Sequence, residues 1–207
     1  MTDGLIFLWF SWILWIIVTF FMRKGRKRTY FACVLLLLIC GSNMTWEIGE
    51  YKVTFSFLIL FVSLVFFHTI AQSLYLLFSA FTLCLAYTGI LFWEQITPIW
   101  MFLPRMILIP LVLVTIISVL IKSFEHKLAI GLFGITFGEI YHSVVLVRYT
   151  IREPIGDTAF FDMLMTFLML LTVLEILHKG KTVLYAFAQT FSRPTVKKHK
   201  VHKTLNG

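Results

Sequence analysis

Leu128–Val147 reads LAIGLFGITFGEIYHSVVLV. As a helix rising about 1.5 Å per residue it reaches about 30 Å, the thickness of a bilayer's hydrocarbon core. Gly131, Gly134 and Gly138 lie inside it, and so do Glu139 and His142. A charge in the middle of a membrane helix costs about 2.5–3.5 kcal/mol on insertion scales. A chain that keeps a carboxylate and an imidazole there must offer them partners, and those partners must come from neighbouring helices.

The composition demands such neighbours. Of 207 residues, 59% are hydrophobic and only 14% charged, and the mean hydropathy is +0.91. Soluble domains are about 45–50% apolar and about 25% charged. This chain has too little polar surface to cover its apolar side chains in water, so lipid is the expected solvent. The net charge of +8 does not point to nucleic acid. The basic residues stand in short blocks beside apolar segments, as topology signals and anionic-lipid contacts do. Cys33, Cys40 and Cys84 sit in apolar runs, are odd in number and lack CxxC spacing. Neither a disulfide framework nor a zinc site is expected.

The apolar runs predict a bundle of seven transmembrane helices. The expected spans are 4–22, 29–46, 53–67, 74–93, 99–121, 128–147 and 159–177. The difficult stretch is Val53–Trp93, which has no formal charge. A single helix of that length would measure about 61 Å, twice the hydrocarbon thickness. The polar patch from His68 to Ser73 is where it should break. Parity agrees: if the basic loop Arg23–Arg28 and the basic tail share one side, an even number of crossings must separate them. Fourteen of the 18 Lys and Arg residues then lie on the cytoplasmic side. This strong positive-inside bias puts the N-terminus outside and the C-terminus in the cytoplasm. Beyond the last span, 181–192 has the spacing of an interfacial helix. The rest, 194–207, reads as a basic, disordered tail. Lys197, Lys198, Lys200 and Lys203 in that tail suit anionic lipid at the cytoplasmic face, or a membrane or cytosolic protein partner.

Four ionisable residues fall in the outer half of the last three spans. Counting inward from the outer boundary places Arg105, Glu139, His142 and Asp162 between about 4 and 12 Å deep. They form the candidate polar cluster. On a helical wheel with Gly131 at zero, Gly134 falls near about 300°, Gly138 near about 340° and His142 near about 20°. Glu139 flanks this face at about 80°. Glycines on one face admit a close helix neighbour, so His142 and Glu139 should point into the bundle. The cluster reads either as polar glue that fixes helix register or as a hydrated cavity for an ion, proton or lipid headgroup.

No catalytic motif accompanies it. The chain has no HExxH, GxSxG, Walker A or GxGxxG pattern, and no cofactor is implied. The two ExxH pairs, Glu139-Ile-Tyr-His142 and Glu175-Ile-Leu-His178, invite comparison with di-iron bundles. Their expected depths differ, at about 12 Å and about 24 Å. Ligands in opposite halves of a membrane cannot hold metals about 4 Å apart.

One family shares this layout. Trp9-Phe-Ser-Trp12 with Trp15, then Thr19-Phe-Phe-Met22, a basic block and short apolar segments to about 200 residues resembles the YphA-like membrane proteins of endospore-forming bacilli. That resemblance implies a polytopic plasma-membrane protein without an established activity, in a Gram-positive cell and with sporulation as a context. The expected function is that of a non-enzymatic scaffold or envelope-assembly factor. The alternatives are a small carrier or receptor using an outward-facing polar cavity, and an intramembrane enzyme acting on a lipid-linked substrate.

Overall fold

The computed structural model describes residues 4–49, 51–66, 73–96, 104–149 and 154–192. Seven helices appear among them: α1 (Leu5–Phe21), α2 (Arg26–Gly41), α3 (Phe55–Phe66), α4 (Leu74–Ile96), α5 (Arg105–Leu120), α6 (Phe124–Arg148) and α7 (Thr158–Ser192). Three are long and apolar enough to cross a membrane: α4, α6 and the Thr158–Lys181 part of α7. Shorter apolar helices are Leu5–Phe21, Phe55–Leu64 and Arg105–Leu120. The polar patch from His68 and the tail lysines Lys197, Lys198, Lys200 and Lys203 lie outside the described residues.

Contacts within Met1–Leu171, one compact unit, fix the direction of every helix. The Arg28 guanidinium donates to Thr19 O at the turn between α1 and α2. The Ser56 hydroxyl, at the start of α3, donates to Leu38 O near the end of α2. Phe57 of α3 packs on Phe160 at the start of α7. Gly4 and Phe7 of the α1 start also meet α7 near its start. The Tyr75 hydroxyl of α4 donates to Leu120 O at the end of α5, and Glu94 at the other end of α4 pairs with Arg105 at the start of α5. Ala80 and Cys84 of α4 face Gly134 and Gly138 of α6 in the same order, so α4 and α6 run parallel. Helices α1, α3, α5 and α7 therefore point one way and α2, α4 and α6 the other.

The connection between α2 and α3 departs from expectation. The predicted second span ran to residue 46 with an outer loop behind it. Instead α2 ends at Gly41, and Thr45–Ile48 (β1) pairs antiparallel with Tyr51–Thr54 (β2). The residues explain this: Thr45, Trp46, Tyr51, Val53 and Thr54 favour strands. Gly49, at φ 65°, makes the turn, and Glu47 and Lys52, directly opposed, form an ion pair of 2.9 Å. On its other edge β2 pairs with the α6–α7 connection, through Thr54 N to Ile155 O at 3.1 Å and Ile155 N to Lys52 O at 2.7 Å. The two connections thus lie at the same end of the bundle.

Arg105 is the first residue of α5, next to Pro104 at the cap, and 99–103 of the expected span lie outside the described residues. One other boundary changes. In Thr172–Gly207, a second compact unit, α7 continues to Ser192 without the expected break near 178–181. A single glycine, Gly180, costs a helix only about 1 kcal/mol, and no proline intervenes before Pro194. One turn of this part is braced by Lys179 and Glu175, 3.5 Å apart.

Helices α4 and α6 pack closely along their length. A Cβ added to Gly138 would stand 2.6 Å from the Tyr87 ring and 3.1 Å from Cys84 O; one on Gly134 would stand 2.9 Å from Leu83 Cβ. Gly131 faces Phe167 of α7 just as tightly, at 2.7 Å. Lipid tails are as apolar as these helices, so burial alone does not hold them together; close van der Waals contact and interhelical hydrogen bonds must. The Thr88 hydroxyl supplies such a bond, lying 3.1 Å from Gly138 O. Gly138→Ala should therefore lower the unfolding midpoint in detergent, by about 1–3 kcal/mol for an overpacked core. Gly89→Ala, where nothing lies within 4 Å, should not. Equal midpoints for the two variants would contradict this account of the interface.

Candidate functional site

Glu139 lies on the inward side of α6 and is 8% exposed. Its partner comes from α4: the Tyr87 hydroxyl donates to Glu139 Oε2 at 2.6 Å. A buried tyrosine hydroxyl needs a hydrogen-bonding partner as much as a buried carboxylate does. The parallel course of α4 and α6 brings these two residues level, and Gly138 lets the Tyr87 ring approach. A longer contact, 3.5 Å, runs from Gly156 N to Glu139 Oε1. Gly156 belongs to the α6–α7 connection braced by β2. It has φ 69°, and a Cβ there would meet the Phe57 ring at 2.5 Å. Only glycine fits both the backbone angle and the space.

His142 lies one turn beyond Gly138 and is 5% exposed. Its ring sits 5.0 Å from that of Phe92. Its Nε2 atom is buried without a hydrogen-bond partner among the described residues. Asp157 caps α7, its Oδ1 accepting from Phe160 N at 2.7 Å.

Tyr87, Glu139, His142, Ser143, Asp157 and Arg105 line one cavity of about 280 Å³, closed on its remaining side by apolar residues of α4, α5 and α7. Arg105 reaches it from the start of α5. Its Nε lies 3.3 Å from Glu94 Oε2, and its side chain is 53% exposed. A second groove, about 540 Å³ and almost wholly apolar, runs along the α4–α6 pair past Leu77, Phe81 and Phe137. It offers no polar recognition.

Three of the four residues expected to cluster, Arg105, Glu139 and His142, thus share the cavity. Asp162 does not. Only 1% exposed, it faces the start of α1, where its two carboxylate oxygens accept from Gly4 N and Phe7 N at 2.7 Å each. Two of the unpaired amides of a helix N-terminus are satisfied this way, and the positive end of the helix dipole meets a negative charge. Depth along the sequence could not separate these roles, because Asp162 and Glu139 differ in direction around the bundle. Among the described residues, no three His, Cys, Asp or Glu side chains are grouped to hold a metal.

Sequence reasoning missed Tyr87 and Asp157. The signal for Tyr87 was a tyrosine within an apolar helix, on the same α4 stretch as Ala80, Cys84 and Thr88. Those three small residues match the spacing of Gly134 and Gly138 on α6. The signal for Asp157 was its place just before a helical apolar run, where an N-cap belongs.

The sequence model of the YphA-like integral membrane protein family matches residues 3–199. No curated protein and no solved structure matches the chain.

Asp162→Asn replaces one acceptor oxygen with an NH₂ that faces an amide N–H. It should cost about 1–3 kcal/mol, the penalty for a buried group left unpaired. Hydrogen exchange should quicken at the first-turn amides of α1 and stay unchanged at those around Tyr87. Unchanged exchange at the start of α1 would remove the capping role.

Proposed function

The chain belongs to the YphA-like integral membrane protein family, and on that premise we propose a carrier or receptor that binds a small polar ligand in a cavity open to the outside. It is a plasma-membrane protein that crosses the bilayer seven times, with the N-terminus outside and the C-terminus in the cytoplasm. The alternating directions of α1 to α7 support the crossing number. The orientation draws support from the basic connections. Arg23–Arg28, at the α1–α2 turn and the start of α2, and Lys122–Lys127, at the α5–α6 turn and the start of α6, share one end of the bundle, the cytoplasmic end by the positive-inside rule. The opposite end carries the β1–β2 hairpin, the α6–α7 connection and the cavity.

The observation that carries the binding reading is His142 Nε2, an unpartnered polar atom on a side chain that lines a cavity with carboxylates and a guanidinium. A network kept only as glue between helices would saturate its buried polar atoms with one another. Asp162 behaves as glue should, and His142 does not. The scaffold reading rests on the tail lysines Lys197, Lys198, Lys200 and Lys203 and draws on composition alone. The enzyme reading would need a nucleophile or bound metal beside Glu139, and no motif supplies one.

The test uses the full chain in lipid nanodiscs and follows thermal unfolding against a panel of small cations, anions, zwitterions and neutral solutes. At least one should raise the midpoint saturably, and Glu139→Gln with His142→Ala should abolish that rise while the protein still inserts and accumulates. No response to any member of the panel would refute the reading, as would an undiminished response in the double variant.

A further inference from the structure

We propose that the apolar groove between α4 and α6 holds an acyl chain of an anionic phospholipid from the cytoplasmic leaflet, its headgroup set against Lys122 and His126. The proposal uses the orientation given above and does not depend on the polar cavity.

The groove is built by the protein alone. Its base is the close seam between the two helices, where a Cβ on Gly134 would stand 3.0 Å from Ala80 O. Large side chains line it beside that seam: Phe81 on α4, with Phe133, Phe137 and Tyr141 on α6. Phe137 is held from two sides. Its ring lies 5.7 Å from that of Phe61 on α3 and is stacked on Phe133 at 6.1 Å. Phe81, Phe137 and Tyr141 are exposed on the surface of the bundle, so the groove opens onto lipid. Small residues at the base and braced rings at the side leave a channel. Left unfilled, its lining would forfeit dispersion contacts.

Size decides what fills it. The lining runs on α6 from Ile130 to Val144, about 21 Å along the helix. A volume of about 540 Å³ over that length leaves a mean cross-section of about 26 Å². A helix about 10 Å across needs about 80 Å², so a helix from a second copy would ride on the rims and leave the base unfilled. A single file of methylenes, about 4–5 Å wide by carbon contact distances, needs about 16–20 Å² and fits. The leaflet follows from α4. Its lining residues run from Leu76 to Cys84, in the half of Leu74–Ile96 nearest the cytoplasmic end.

Charge identifies the headgroup. His126, Ile130, Phe133 and Phe137 recur at i, i+4, i+7 and i+11, which places them on one face of α6. His126 therefore stands one turn from the groove lining on the cytoplasmic side. Lys122, exposed, lies just before the helix. A lysine head carries three N–H donors, and a neutral imidazole carries one in either tautomer. A phosphodiester supplies the matching acceptors and a negative charge. The surroundings agree: Arg23–Arg28 and Lys122–Lys127 bring seven basic residues to this end of the bundle against one carboxylate, Glu125. Basic residues at a membrane surface attract anionic lipid.

The experiment places the full chain in nanodiscs of mixed phosphatidylglycerol and phosphatidylcholine. One lipid at a time carries a diazirine in its acyl chain, and the labelled residues are mapped by mass spectrometry. The phosphatidylglycerol probe should label Phe81 and Phe137 well above Leu111 of α5. Leu111 is also exposed to lipid and lies between those two in depth from the cytoplasmic helix ends, at about 14 Å against about 11 and 20 Å. The phosphatidylcholine probe should label the groove less than the phosphatidylglycerol probe does. Lys122→Gln with His126→Gln, both outside the helix packing, should lower phosphatidylglycerol labelling of the groove about fivefold, the share of one basic residue at the surface. Labelling by phosphatidylcholine should not change.

Equal labelling of the groove by the two probes would overturn the anionic headgroup, as would a double variant that labels like the wild type. Labelling of Leu111 equal to that of Phe81 and Phe137 would overturn the groove as a lipid site. A dimer in which Phe81 and Phe137 are shielded from both probes would assign the groove to a second copy and overturn the proposal.

Discussion

The hydrogen bond from Tyr87 to Glu139 exists because α4 and α6 come closer than ordinary side chains allow. Gly134 and Gly138 leave room on α6, and Ala80 and Cys84 present backbone carbonyls on α4. In lipid no difference in hydrophobicity pulls two helices together. Contact area and hydrogen bonds must do so, and both depend on the missing Cβ atoms. Once the helices are in register, Tyr87 stands level with Glu139 and Phe92 with His142. Pro154 and Asp157 of the α6–α7 connection line the cavity beside this pair, and Ile155 is strapped to β2.

The two buried carboxylates of this end of the bundle are satisfied in different ways. Asp162 takes two backbone N–H groups at 2.7 Å from a helix start. Each oxygen has a backbone donor, and the pair of bonds ties the first helix to the seventh. Glu139 takes one strong donor and keeps capacity beside an unpartnered imidazole nitrogen. The first arrangement is complete within the protein, whereas the second leaves His142 Nε2 without a partner among the described residues. This contrast between neighbouring carboxylates separates a structural role from a binding one.

Much of the fold is legible in the sequence because membrane helices obey few rules. Apolar runs, the polar break near His68 and the blocks of Lys and Arg are enough for seven helices. The close-packing face of α6 is also legible, since Gly131, Gly134, Gly138 and His142 share one side of a wheel. The partner of that face is not. Short connections suggested α5 and α7; α4 packs on α6 more extensively than α5 does, because small residues recur on α4 at a matching spacing. The hairpin was hidden because its strands are short and overlap the ends of two expected spans. Depth along a span carries no information on direction around the bundle. The grouping of four ionisable residues therefore divides into a cavity and a helix cap.

Access to the cavity from outside is the claim on which the functional account turns, and Ser143 tests it most directly. It is 5% exposed and lines the cavity between His142 and the α6–α7 connection. In a variant with Cys33, Cys40 and Cys84 replaced by serine, Ser143→Cys can be challenged in intact cells with membrane-impermeant methanethiosulfonates. Modification from outside is expected, slowed by bound ligand. Modification only after the cytoplasmic face is opened, or none from either side, would contradict it.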